Sequence, residues 1–217
     1  MSTLKSRREQ YSQATRTALL EAATRRFAEH GFAGTTLEDV AADIQATRGA
    51  VYHHYASKTA LFAAVFEKLE TEAMALSDAA AARASDPWQA AFAALDAFLE
   101  CSCDPVYGRI AWLEAPTALG WTHWQSAGVD LAYGHVERRI KALMDGGYLD
   151  PQPLETLTRV VYSMLGAAGM ALAEAADTDK PRLKAEYAAV IGRMLSALQP
   201  IPALSDGAGS RPSATGT

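Results

Sequence analysis

Cysteine is scarce in this chain, with only Cys101 and Cys103 among 217 residues. On a helix, residues two apart point in different directions, so these two are not expected to pair. Two cysteines do not make a disulfide scaffold, and both read as small apolar residues of a core. Runs of alternating Val, Ile and Thr are missing, which argues against a sheet. The stretch from Val160 to Ala173 is uncharged but shorter than the ~20 apolar residues that a spanning helix needs. The opening MSTLKSRREQ is polar and has no secretory pattern. The expectation is a soluble, cytoplasmic protein with no membrane partner. There is no glycine-rich phosphate loop, no GxSxG and no HExxH, and the histidines and carboxylates show no catalytic spacing. An enzyme is therefore not expected, nor is a cofactor.

What is present is helical. Apolar residues make up 49% of the chain, too many for a disordered one, and they recur with helical spacing almost throughout. The net charge of −5 seems to argue against nucleic acid, but its distribution does not. Residues 1–58 carry an excess of +2 and the remainder an excess of −7. The mildly basic part is N-terminal.

The spacing predicts a first helix from Ser12 to His30, buried along Leu19, Ala22, Ala23 and Phe27. Gly31 stands where a left-handed terminal residue is wanted. Thr36 is a candidate N-cap with Asp39 three residues on, opening a short helix with Leu37, Val40, Ala41 and Ile44 inward. Gln45-Ala46 makes a tight connection. Thr47 and Ser57 can cap a third and a fourth helix. Residues 36–55 thus read as helix, turn, helix.

The segment TRGAVYHHYASK, residues 47–58, carries two tyrosines, two histidines, an arginine and a lysine on a short helix. Only Ala50, Val51 and Tyr55 suit a core there. A polar load of this kind has a purpose if the exposed side enters a major groove. At this point the chain resembles the DNA-binding domain of the TetR family of transcriptional regulators. The resemblance rests on A-x3-F-A-x2-G-F ending helix 1, T-T-x3-V-A opening helix 2, and x-G-x-V-Y-x-H-Y-x-S-K from helix 3 into helix 4. It covers about residues 16–66. Arg26 departs from the family's usual apolar residue and Gln45 from its common glycine.

The expected partner is double-stranded DNA. Arg48 opens the recognition helix and can bond guanine O6 and N7 bidentately. Gly49 lets backbone approach the duplex. Ala50 can meet a thymine methyl or pack inward. Tyr52, His53 and His54 reach bases or phosphates from the next turn, His54 being equally suited to supporting the turn, and Lys58 suits a phosphate. Thr36 and Thr47 serve as caps and contacts at once. Lys5, Arg7 and Arg8 form a basic arm, either solvated or reaching a minor groove. The adjacent His53 and His54 diverge and lack companion ligands, so no metal is expected.

Five further helices are expected, beginning at Asp86, Asp104, Thr122, Pro151/Pro153 and Asp179, giving an all-α fold of about nine. The division is a flexible arm over 1–11, a helix-turn-helix domain over 12–56, a larger domain over 57–199 and a disordered tail over 200–217. The resemblance implies that the larger domain binds a small-molecule effector and pairs as a homodimer through its last two helices. Candidates for the dimer face are Val161, Leu165, Ala168, Leu172, Val190, Ile191, Met194 and Leu198, and either helix face also reads as ordinary core. Gly166, Ala167 and Gly169 would let backbones approach there. Aromatic residues crowd the middle helices. Phe98, Trp112, Trp121, Trp124, Tyr133, Tyr162 and Met164 are candidates for a largely apolar ligand pocket, with Arg109, Glu114, His123 and Met170 near them. Any one of these aromatics reads equally well as core. Repression is the family's usual mode, although some relatives activate.

Overall fold

A computed structural model describes residues 7–201, and the side chains from residue 10 onward. Among these residues it contains nine helices and no strand. They are α1 (Arg7–His30), α2 (Leu37–Asp43), α3 (Arg48–His54), α4 (Lys58–Ala81) and α5 (Pro87–Cys103). α6 covers residues 105–118 and α7 residues 121–145; α8 is Leu154–Glu174 and α9 is Lys180–Ser196. The first helix starts five residues ahead of the expected Ser12, so residues 7–11 of the expected arm are helical. Lys5, the side chains of Arg7 and Arg8, and the tail from residue 202 lie outside the described residues.

Local chemistry sets the short helices. Thr36 and Asp39 form a reciprocal capping box on α2, which satisfies N–H groups that a helix start leaves unpaired. Thr47 caps α3 by accepting from the Ala50 N–H at 3.2 Å. Ser57 caps α4 in the same way, through Ala60 at 3.1 Å. Between α2 and α3 the chain turns at Gln45, whose φ of 54° is left-handed. A side chain is disfavoured in that conformation, which explains why glycine suits the position. Arg26 has its own partner: its guanidinium holds Asp43 of α2 through two bonds of 2.7 and 2.6 Å. That bond keeps the Asp43 carboxyl below its ordinary pKa and ties α1 to α2.

Leu19, Ala22, Ala23, Phe27, Val40, Val51, Leu61, Phe62 and Val65 are fully buried together, closing α1–α3 onto the start of α4. At 24 residues, α4 is ~36 Å long and continues from the head into the larger domain. There it packs on α5 and α7. Asp78 of α4 meets Arg139, His135 and Arg138 of α7 at 2.7, 3.1 and 3.2 Å.

Two helices contain wide turns with i→i+5 bonding: Gly108–Glu114 within α6 and Val129–Tyr133 within α7. Pro116 follows the first. Proline has no N–H to give and its ring would crowd the carbonyl four residues back, so a wider turn relieves that position.

The uncharged run from Val160 to Ala173 lies within the helix expected to open at Pro151/Pro153. α8 has 21 residues and a mean hydropathy of 1.2, long and apolar enough to cross a membrane by length and composition alone. It packs in the folded body against α5, α6, α7 and α9. Only 28% of its most apolar window is buried there, so much of that surface faces outward.

Candidate DNA-binding face and inner cavity

The recognition helix α3 buries one residue, Val51. Tyr55 follows it into the core, and Ala50 is half-buried. Of the other expected contact residues, Thr36, Thr47, Arg48, Gly49, Tyr52 and His53 are exposed. Arg48 is held in place before any ligand arrives. Its Nε lies 3.0 Å from the Glu38 carboxylate of α2, and its guanidinium sits 5.2 Å from the centre of the Tyr52 ring. Sequence reasoning did not pick out Glu38 as a partner.

Gly49 sits in ordinary helix, and a Cβ there would meet only the Thr47 hydroxyl, 3.9 Å away. The fold therefore does not require glycine at this position, whereas close approach of a duplex would. His54 is half-buried. Burial, together with the charges of His53 and Arg16, lowers its pKa and favours the neutral ring. Lys58 is not free. Its ammonium donates to the Phe32 carbonyl at 2.8 Å and lies 4.3 Å from the centre of the Phe32 ring. Two N–H groups remain for a phosphate.

The larger domain encloses a cavity of about 730 Å³ between α4, α5, α6, α7, α8 and α9, within the range of small-molecule sites. Five of the seven expected pocket residues line it: Phe98, Trp112, Trp121, Trp124 and Tyr162. The other two do not. Tyr133 turns its hydroxyl to the Glu155 carbonyl at 3.1 Å, and Met164 packs half-buried against the core. Of the neighbours expected near the pocket, Met170 lines it, and Arg109, Glu114 and His123 do not.

The residues expected at a dimer face fall in two groups. Val161, Ala168, Leu172 and Ile191 are buried within this one chain, and Val161, Leu165 and Ile191 line the cavity. A helix covered on two sides has two apolar faces, and periodicity cannot say which one looks inward. Val190 and Met194 are exposed, and Leu198 is half-buried. The small residues of α8 also serve the interior. A Cβ on Gly169 would overlap the Trp112 ring, and Gly166 and Ala167 line the cavity.

The sequence reading missed several lining residues, notably Glu70, Met74, His135 and Arg139. A signal for Glu70 did exist. It is the one acid on the inward stripe Phe66, Glu70, Met74, Ser77 of α4, where the spacing calls for an apolar side chain. Glu70 is buried and accepts a hydrogen bond from the Tyr107 hydroxyl at 2.8 Å. Burial pushes its pKa up to about 7 against the opposing effect of that bond. Tyr162, also in the wall, is pushed up to about 12 by burial.

A three-helix head capped onto a long α4, with a cavity in a helical domain below, is the architecture of a helix-turn-helix transcriptional regulator. Residues 19–65 match the family model of bacterial regulatory proteins of the tetR family, and residues 88–198 match the tetracyclin repressor-like C-terminal domain. The chain belongs to the TetR family of transcriptional regulators, which are not enzymes. It is similar to the probable acrEF/envCD operon repressor of Escherichia coli K12, at 50% identity over 48 residues. That match covers 22% of this chain and 22% of the relative. With the regulator TtgR of Pseudomonas putida it shares 41% identity over 63 residues, 29% of this chain and 30% of that one. The chain thus matches less than a third of the length of either. A TetR-family regulator from Pectobacterium atrosepticum superposes with a TM-score of 0.78 at 29% identity, covering 91% of this chain and all of that one. The regulator RolR in complex with resorcinol shares the fold, with a TM-score of 0.63 at 18% identity over 89% of this chain and 98% of its own.

Proposed function

We propose that the chain is a homodimeric repressor, held on a palindromic operator and released by a small hydrophobic or aromatic ligand. The head over residues 12–56 reads DNA, and residues 57–199 bind the ligand and the second copy. The observation that carries this reading is α4. Its first half packs against α1 in the head and its second half, from Phe66 to Ser77, lines the cavity. A ligand that fits a differently tilted α4 better draws the population away from the DNA-bound arrangement.

One short helix reads few bases, so two copies are expected on half-sites ~34 Å apart. The outward apolar surface supports pairing. Val160 of α8 and Val190 and Met194 of α9 are 49%, 44% and 51% exposed, which is costly in water and useful in an interface. The aromatic lining suits a planar guest, and RolR gives a precedent for a ligand of that shape in the same fold.

The test is binding of the purified protein to DNA flanking its own gene, against unrelated DNA, across a salt series. Tight binding that survives competitor, and that Arg48→Ala or His53→Ala abolishes without loss of fold, is the expected result. Binding no tighter than to unrelated DNA and falling steeply with salt would reduce the claim to phosphate attraction.

A further inference from the structure

One buried carboxylate in the cavity wall, Glu70, has no cationic partner. Two arginines and a histidine line the cavity, and each stands beside a carboxylate, Arg139 and His135 sharing Asp78 with Arg138. Arg139 is 2.7 Å and His135 3.1 Å from Asp78. Arg159 is 3.6 Å from Glu155 and lies over the Tyr133 ring. Glu70 also lines the cavity, and its partner is the Tyr107 hydroxyl, a neutral group. The titratable groups whose fields it feels or affects are Tyr107, Tyr162 and Cys101, and none of them is a cation. Asp130, exposed, adds a second carboxylate to the lining. The wall also carries aromatic rings, among them Phe66, Phe98, Trp112 and Tyr162.

A buried acid with only a neutral partner is costly unless it is protonated or meets a cation. Aromatic faces favour a cation as well, through their ring quadrupoles. From this buried, cation-free carboxylate among aromatic rings we infer that the cavity selects a lipophilic aromatic ligand bearing a cationic nitrogen, with the Glu70 carboxylate as its ion-pair partner. The inference rests on the reading of this cavity as the effector site and gives that effector a chemical class. On binding, a Glu70 proton leaves to solvent and the ammonium takes its place, so total charge in the site is conserved. The Tyr107 hydroxyl keeps donating to the carboxylate and holds it in place.

A matched pair of probes tests this: 1-naphthylmethylamine, charged at pH 7.5, and 1-naphthylmethanol, which replaces the ammonium with a hydroxyl. Quenching of Trp112, Trp121 and Trp124 in the full chain reports binding. The amine is expected to bind at least about tenfold more tightly than the alcohol. Glu70→Gln should erase that preference and leave the alcohol within about twofold of its original Kd. Glu70→Met serves as a second variant and should do the same. Calorimetry at pH 6, where the amine is still charged and Glu70 is mostly protonated, in two buffers of different ionisation enthalpy should show close to one proton released with the amine and none with the alcohol. Equal binding of both probes overturns the cationic class and leaves the cavity standing as an effector site. A preference for the amine that survives both substitutions overturns the role of Glu70. Binding of neither probe to a protein folded by circular dichroism overturns the inference, while operator binding still reports separately on the proposed function.

Discussion

Glu114 accepts a hydrogen bond from the Phe32 N–H at 2.9 Å, across 82 positions of sequence. Lys58 takes the carbonyl of the same Phe32 at 2.8 Å. The junction between α1 and α2 is therefore held by one side chain from α6 and one from α4. Gly31 makes room for this: its φ of 71° suits glycine, and a Cβ there would press on the Glu114 carboxylate. Trp112, two residues before Glu114 in the same wide turn, lines the cavity. A second route from cavity to head thus runs beside α4.

If that route carries the signal, Glu114→Ala should uncouple the two ends. Ligand affinity by tryptophan quenching is expected to stay within about twofold. The ligand-driven loss of operator affinity should shrink at least about fivefold, in keeping with ordinary coupling energies. An undiminished response would leave α4 as the sole lever.

Gly49→Ala separates fold from contact. Alanine is the better helix former by about 0.5–1 kcal/mol, and a Cβ has room. The variant should therefore melt at a higher temperature than the parent. Its operator affinity should fall at least about tenfold if the backbone of α3 comes close to the duplex. Unchanged affinity in a gel-shift titration would place Gly49 away from DNA.

Gln45→Gly addresses backbone strain alone. Relief of a left-handed side chain is expected to outweigh the extra freedom of the unfolded glycine, for a net gain of about 0.5–1 kcal/mol in urea unfolding. Gln45 is exposed and holds a positive φ. A loss of stability would show that its side chain makes a contact worth more than the strain.

Stability should depend on pH through Glu70, with a definite sign. Its folded pKa of about 7 is above the ordinary 4.5. The folded state therefore holds the proton more tightly, and this contribution is fully present below about 4.5 and lost as pH rises through about 7. The gap between those values corresponds to ~3 kcal/mol. Glu70→Gln should accordingly gain stability relative to the parent between pH 5 and 8, measured by urea unfolding in the absence of ligand. A difference that stays flat across that range would mean Glu70 is already ionised in the fold.

Val190→Asp and Met194→Asp test the outward face of α9. The two residues stand one turn apart and exposed, so a charge on either should turn a dimer into a monomer in sedimentation without lowering the helical signal. A dimer that persists in both variants would move the interface elsewhere.

Much of the head was legible from residues 12–58, because there the deciding interactions are local. Caps at Thr36, Thr47 and Ser57, the positive φ at Gly31, and an inward stripe in α1 each involve neighbours within four residues, and short-range spacing reports them. The larger domain was less legible. Helical periodicity marked α8 and α9 as apolar, yet Val161, Ala168, Leu172 and Ile191 proved to face the chain's own core and cavity. Tyr133 and Trp112 looked alike as aromatics, but only Trp112 reaches the cavity, through the space left at Gly169.

By itself, then, the amino-acid sequence determined the helical class, the helix-turn-helix and the exposed polar surface of α3, all of which follow from periods and caps along one helix. Tertiary structure alone decided that Glu70 is buried beside Tyr107, that Glu114 reaches Phe32, and which side of each long helix looks inward. Those depend on how separate helices pack, and a packing partner 37 or 82 positions away leaves no periodic trace in the residues that meet it.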